Sequence, residues 1–185
     1  METVTHLSMT ELEAGLGIIR QSPSDQGLLK LIVRRPKVDE REVVNEAELD
    51  LEEGLVGDTW KMRGSKATPD GSANVNAQIT LMNMRAIALL AQDEARWVLA
   101  GDQLFVDFDL SEANLPAGTR IAIGSTILEV SSTPHTGCAK FSERFGKDAL
   151  KFVNSPEGKP LRLRGVNTRV VQAGKIQVGD AVRKV

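Results

Sequence analysis

The chain has 185 residues, 41% of them hydrophobic and 26% charged; this suits a globular protein with a sizeable core and excludes general disorder. Five Phe, two Trp and no Tyr leave few aromatic platforms, which argues against base-stacking nucleic-acid modules. The net charge of −2 hides an asymmetry: from Lys140 onward eleven Lys+Arg face four Asp+Glu, a local +7, so residues 1–139 carry −9. A basic C-terminal quarter suits either an anionic ligand or a solvated face.

The first residues, Met1 to Leu7, carry no cationic segment followed by an apolar run, so no secretory signal is expected. No apolar stretch approaches the length of a membrane span, and a lone cysteine forms no internal disulfide. The expectation is a cytoplasmic protein with a reduced thiol, without membrane or nucleic-acid partners.

Thr10 with Glu13 three residues later reads as a capping box, and Leu12, Leu16 and Ile19 follow at helical spacing. These predict a short helix over 10–20, weakened by Gly15 and Gly17. Residues 21–27 read as a loop, 28–35 as a strand stopped by Pro36, and 41–49 as the next strand. Gly54 to Trp60 is a glycine-punctuated loop, and 61–77 reads as a polar, mobile surface segment. Were it to fold over a site, Trp60 and Lys61 would cap the ligand. Strand 78–82, helix 83–92 and strand 104–109 come next, then a turn over 114–118. Strands 119–123 and 126–130 join through Gly124-Ser125 and lead into the cysteine turn. Residues 139–154 read as helix broken near Gly146, followed by strands over 161–166, 168–171 and 176–178. Many short strands with glycine turns and few helices predict an α+β, mainly β fold: a barrel or strongly bent sheet with no dividing linker.

The chemistry concentrates around Cys138, in Thr133-Pro134-His135-Thr136-Gly137-Cys138-Ala139-Lys140-Phe141. Free cysteines are often inert and buried. Here Gly137 permits close backbone approach, a following helix would place the thiol near unpaired N–H groups, and Lys140 adds positive charge, all of which favour thiolate. His135 is placed to act as a proton donor or base. A cysteine protease or acyl transferase is a poor fit, because His135 lies in the same turn and His6 is the only other histidine. One Cys and two His cannot supply a four-ligand zinc site. No phosphate-binding Gly-x-x-x-x-Gly-Lys-Ser/Thr loop and no dinucleotide fingerprint occurs.

On the expected strand 161–166, Arg162 and Arg164 would emerge on one face as a phosphate-binding pair, with Asn167 and Arg169 at the same parity beyond Gly165. The alternative is an outer polar face with Leu161 and Leu163 inward. Asp58 is either a turn residue bonding its own backbone or an orienting carboxylate for a ligand or an arginine.

Taken in order, Leu31-Ile32-Val33-Arg34-Arg35-Pro36, Gly54-Leu55-Val56-Gly57-Asp58-Thr59-Trp60, the Pro134–Phe141 turn, Leu161-Arg162-Leu163-Arg164-Gly165-Val166-Asn167 and the closing Gly174…Val178-Gly179-Asp180 resemble the MOSC-domain family, named for the molybdenum-cofactor sulfurase C-terminal domain. The resemblance spans residues 28–185, leaving 1–27 as an N-terminal helix and loop packed on that domain. It implies a β-barrel-like α+β domain in which Cys138 either carries sulfur as a persulfide or ligates molybdenum of a pterin cofactor. His135 and Lys140 flank that thiol, and Arg162, Arg164 and Arg169 are candidates for the cofactor's phosphate, with Asn167 and Asp58 beside them. A molybdenum-binding member would reduce N-hydroxylated substrates using an electron-donor protein; a sulfur carrier would draw on a cysteine desulfurase. The chain has no room for a pyridoxal-phosphate desulfurase domain, and one cysteine excludes a four-cysteine iron–sulfur cluster. The expectation is therefore a stand-alone member. A cofactor carrier without turnover and a structural domain without catalysis stand as rivals.

Overall fold

The computed structural model describes residues 4–185. It opens on two short helices, α1 (Met9–Ala14) and α2 (Leu16–Arg20), separated at Gly15. Ser8 caps α1: its Oγ accepts from Glu11 N–H, and the Glu11 carboxylate accepts from Ser8 N–H at 2.8 Å. The capping box thus sits two residues before the one expected at Thr10, and the single helix over 10–20 is a broken pair. Leu12, Leu16 and Ile19 are nonetheless buried at the spacing that predicted helix.

The remaining elements are β1 (Gln26–Arg34), β2 (Glu42–Val44), β3 (Glu46–Asp50), β4 (Gly54–Leu55), α3 (Trp60–Arg63), a 3-10 turn (Val75–Ala77), β5 (Ile79–Asn83), α4 (Met84–Ala91), a 3-10 helix (Glu94–Ala100), β6 (Leu104–Asp107), β7 (Arg120–Ile123), β8 (Thr126–Val130), α5 (Ala139–Phe145), α6 (Lys147–Val153), β9 (Val166–Gln172), β10 (Gly174–Gln177) and β11 (Ala181–Lys184). Going round the main sheet, β11, β7, β8, β9, β5, β6 and β1 are neighbours, and β11 pairs back onto β1. That closes a seven-stranded barrel, with β2 hydrogen-bonded outside the ring to β1. Closure removes the open edges a mainly β protein must otherwise protect. The fold is the α+β, β-barrel architecture the sequence predicts.

The stretch 41–49, expected as one strand, divides at Asn45: β2 joins β1, whereas β3 joins β10 and β4 in a separate three-stranded sheet. The segment 61–77 contains one turn of helix, α3, and the 3-10 turn. The strand expected over 161–166 is not formed. Leu163 N–H bonds Gly158 O, Gly165 N–H bonds Arg162 O, and Arg162 takes φ 48°, so the Leu-Arg-Leu-Arg alternation is wound into successive turns. Strand pairing begins at Val166.

Two apolar cores form on the two faces of the barrel wall. Leu29, Ile32, Ile79, Leu81, Leu104 and Val106 fill the interior. Val33, Met82 and Phe105, on the other face of the same strands, pack with residues of α1, α2, α4, α5 and α6. The two-residue period of a strand makes this division possible, and it explains why every residue of β5 is buried. The one parallel pair in the barrel, β5 with β6, requires a crossover; α4 and the 3-10 helix supply it and cover the outer face. Asn83 joins these parts. Its Oδ1 accepts from the N–H groups of Arg85 and Ala86 at the start of α4, and its Nδ2 donates to Ser22 Oγ at 2.8 Å and Phe108 O at 3.0 Å.

Asn83→Ala removes a helix cap and leaves buried acceptors without a donor. Urea unfolding should show a loss of about 2–3 kcal/mol with an unchanged m-value. A loss under about 0.5 kcal/mol would contradict this assignment.

Candidate functional site

Loop 131–137 leaves β8 and reaches Cys138, which caps α5 with its backbone: Ser142 N–H bonds Cys138 O at 3.0 Å. The helix over 139–154 breaks at Gly146 as expected, giving α5 and α6. Two asparagines set the loop's path. Asn167, on β9, donates from Nδ2 to Thr133 O at 3.1 Å and Pro134 O at 3.2 Å. Asn154, following α6, accepts from Gly137 N–H at 3.1 Å and donates to Gly137 O at 3.3 Å. A Cβ at Gly137 would stand 2.7 Å from Leu150 Cδ1 and 3.1 Å from Val153 Cγ2, so a larger residue there would have to displace those side-chain ends. Cys138 follows it immediately and is exposed.

The loop forms one wall of a cleft of about 670 Å³, closed by the turn 159–166 and by residues 112–117. That volume lies in the range of small-molecule sites. Its lining includes His135, Lys159 and Arg162 against one carboxylate, Glu112, with Arg164 already paired to Asp102 behind the wall; the two unpaired cations favour an anionic occupant. Thr136 lines the cleft, which places Cys138 two residues beyond its rim.

Arg162 and Arg164 both line the cleft but through a turn, and their forks are differently used. Arg162 donates from Nη1 to Leu115 O at 2.7 Å and Leu110 O at 3.2 Å. Its desolvation lowers its pKa from the ordinary arginine value, partly opposed by Glu112. Arg164 is buried; it donates from Nη1 to Asp102 Oδ2 at 2.6 Å and from Nη2 to Ala100 O at 2.9 Å, and its guanidinium lies 5.0 Å from the centre of the Phe141 ring. Arg164 Nε is buried without a hydrogen-bond partner.

Asp102 is the residue that sequence reasoning missed. It is fully buried and holds both Arg164 and His135, whose Nε2 lies 3.1 Å from Asp102 Oδ1. That approach is off the hydrogen-bond direction, so neither atom has an aligned partner. The His135 ring thus stands with Nε2 beside the carboxylate while the residue also lines the cleft. Gly165 (φ +112°) keeps this corner open: a Cβ there would meet Leu81 O at 2.5 Å, Asp102 Oδ1 at 3.3 Å and His135 Cδ2 at 3.3 Å. Burial alone would raise the Asp102 carboxyl; Arg164 and then His135 outweigh it and hold it below its ordinary value.

A signal for Asp102 existed. Gly57-Asp58 and Gly101-Asp102 are the same dipeptide, with glycine φ of +85° and +86°, and each aspartate is buried on an arginine. Asp58 accepts from Arg35 Nε and Nη2, both at 2.7 Å, and from Arg35 and Trp60 N–H. Its oxygens are therefore committed to protein donors. Arg35 Nη1 continues to Gly101 O, the residue before Asp102.

The other candidates fall elsewhere. Lys140 is exposed on the first turn of α5. Arg169 points outward on β9 and pairs with Glu129 at 2.6 Å, away from the cleft lining. Asn167 is spent on the loop carbonyls. Among the described residues no group of three or more His, Cys, Asp and Glu could enclose a metal ion. Among them, too, no helix is long and apolar enough to cross a membrane.

The family model described as MOSC domain matches residues 72–183, more than half of the chain. Among solved structures, YuaD from Bacillus subtilis is similar with a TM-score of 0.60 at 17% identity, covering 85% of this chain and 94% of that one. YiiM from Escherichia coli (TM-score 0.55, 18% identity, 85% and 69% covered) and YiiM from Geobacillus stearothermophilus (0.53, 14%, 86% and 73%) share the architecture. At these identities the likeness speaks for the fold. No curated protein matches the sequence significantly.

Because the folded-state pKa of Asp102 lies below its unfolded value of about 3.9, its stabilisation is present above that pH and is lost as pH falls through the folded pKa. Asp102→Asn should lose about 3–5 kcal/mol at neutral pH by leaving Arg164 unpaired, and should flatten the decline in stability below pH ~4. An acid limb as steep as that of the parent protein would contradict the assignment.

Proposed function

The chain belongs to the MOSC domain family, and from that premise we propose that the cleft beside Cys138 binds a molybdenum-pterin cofactor, with Cys138 supplying a thiolate to the metal. The observation that carries this reading is an exposed cysteine, following a clamped glycine, two residues beyond the rim of a cationic cleft. The donor set fits such a group. A pterin would bring sulfur ligands of its own to the metal, so a single soft thiolate from the protein would add to them without a cluster of protein ligands. Arg164 Nε, buried and unpartnered in the cleft lining, is a donor still to be satisfied.

Lys159 and Arg162 would receive the anionic end of the cofactor: Arg162 is held by two carbonyls through Nη1 alone, so the rest of its fork remains for a phosphate. Asn154 and Asn167 fix the loop that presents His135 and Cys138. His135, oriented by Asp102, would take or give a proton during turnover. When bound, the cofactor supplies two-electron redox chemistry, and an external electron donor would complete a reduction such as that of an N-hydroxylated compound.

The exposure of Cys138 also suits sulfur transfer. In that reaction the Cys138 thiolate attacks the outer sulfur of a persulfide on a cysteine desulfurase. A new S–S bond forms on Cys138, the donor's S–S bond breaks, and the donor leaves as thiolate.

Protein made in a cofactor-producing host should contain molybdenum and pterin. Cys138→Ala should lower molybdenum about tenfold while retaining pterin, and Arg162→Ala should lose both. Full molybdenum occupancy in Cys138→Ala would overturn thiolate ligation. For sulfur transfer, intact mass after incubation with a desulfurase and cysteine should show one added sulfur, absent in Cys138→Ala.

A further inference from the structure

The helices pack on the outer face of β1, β5 and β6. Further round the barrel, Ala122 on β7 and Ile127 on β8 stand at paired positions, half-buried, and belong to neither apolar core. Their strand neighbours Ile121, Ile123 and Leu128 fill the interior, so Ala122 and Ile127 face outward. The next outward row along these strands is Arg120, Glu129 and Arg169, paired across β7, β8 and β9. Arg183 on β11, paired with Ala122, adds an exposed cation.

Glu129 Oε1 accepts from Arg169 Nη2 at 2.6 Å and Nε at 3.1 Å, and its Oε2 accepts from Arg120 Nε at 3.2 Å. One carboxylate thus holds two guanidiniums side by side on the sheet. The arginine side chains stay 56% and 44% exposed, against 18% for Glu129, so their outer donors face water. Among the described residues, Arg120 Nη1 and Nη2 and Arg169 Nη1 have no hydrogen-bond partner. Glu129 is the one acidic residue of β7, β8, β9 and β11, set against Arg120, Arg169, Arg183 and Lys184. The row adjoins the cleft: Ser131, which lines it, lies two residues beyond Glu129, about 7 Å along the strand direction, and its N–H bonds Asn167 O.

We propose that this uncovered barrel face is a docking surface for an acidic protein, whose carboxylates pair with Arg120, Arg169 and Arg183 around the apolar contact of Ala122 and Ile127. Charge complementarity selects the partner, since the face offers guanidinium donors in excess of its one carboxylate. Arginine forks take carboxylates bidentately, and forks already held by a neighbour lose less freedom on binding. The four strands contain no aromatic residue, so bases would find no stacking platform on them. None of these side chains lines the cleft, so the surface stands whatever the cleft binds.

The test is titration of the nitrogen-15-labelled chain with a hexaglutamate peptide, read in the amide NMR spectrum. The signals of Arg120, Ala122, Ile127, Glu129, Arg169 and Arg183 should shift saturably. Their apparent affinity should fall severalfold when added salt shortens the Debye length from about 30 Å to about 10 Å. The double variant Arg120→Gln, Arg169→Gln should bind at least about tenfold more weakly. Arg162→Ala, in the cleft, should leave the response of these strands as in wild type. The proposal is overturned if no saturable shift occurs, if the shifts are confined to residues lining the cleft, or if the double variant keeps wild-type affinity. It is also overturned if an oligothymidine of equal charge binds these strands more tightly than hexaglutamate. Should the double variant fail to fold, exposed Arg183→Gln serves instead, and wild-type affinity in that variant overturns the proposal.

Discussion

The buried pair of Arg164 and Asp102 is the contact on which the site depends. One guanidinium joins three separate pieces of chain: the end of the 3-10 helix through Ala100 O, the His135 loop through Asp102, and α5 through the face of Phe141. Both partners are nearly or fully removed from water, so neither can be left without the other. The pair therefore acts less as added stability than as a constraint that ties the wall of the cleft to α5, the helix that Cys138 opens.

The loop 99–101 is held in the same manner throughout. Its three successive carbonyls accept from Arg144, Arg164 and Arg35, drawn respectively from α5, the turn before β9 and the end of β1. A helix ends on unpaired carbonyls with partial negative charge, and cations there are favourable. The fold spends arginines from three elements on this one terminus. That explains how a sheet closed by β11 on β1 also fixes a loop between α4 and β6, and why the cationic surroundings extend beyond the cleft. Cys138 itself remains outside this network, exposed at the start of α5, and is placed by the Gly137–Asn154 clamp.

Much of this was legible in the residues. Phe141, Phe145 and Phe152 repeat at helical spacing and are buried, and Gly146 breaks the helix at φ +99°. The apolar runs within β1 and β5 lie where expected, because Leu29, Ile32, Val33, Ile79, Leu81 and Met82 serve the cores on the two faces of the barrel wall. The stretch 161–166 misled because its alternation satisfies the strand period, yet the turn-forming Gly158, Pro160 and Gly165 around it govern the backbone. With the strand goes the expected shared face of Arg162 and Arg164, although tertiary folding still brings both to one cleft. Asp102 lay outside any recognised motif. Its role follows from a partner sixty-two residues away, a separation no local pattern reports, and only the repeated Gly-Asp dipeptide hinted at it.

The central claim, that Cys138 presents its sulfur to a metal held in the adjoining cleft, is tested most directly by molybdenum-edge X-ray absorption on protein from a cofactor-producing host. The account predicts one more sulfur neighbour around molybdenum in the wild-type chain than in Cys138→Ser, with pterin content equal in the two. Identical sulfur shells at equal molybdenum content would contradict it.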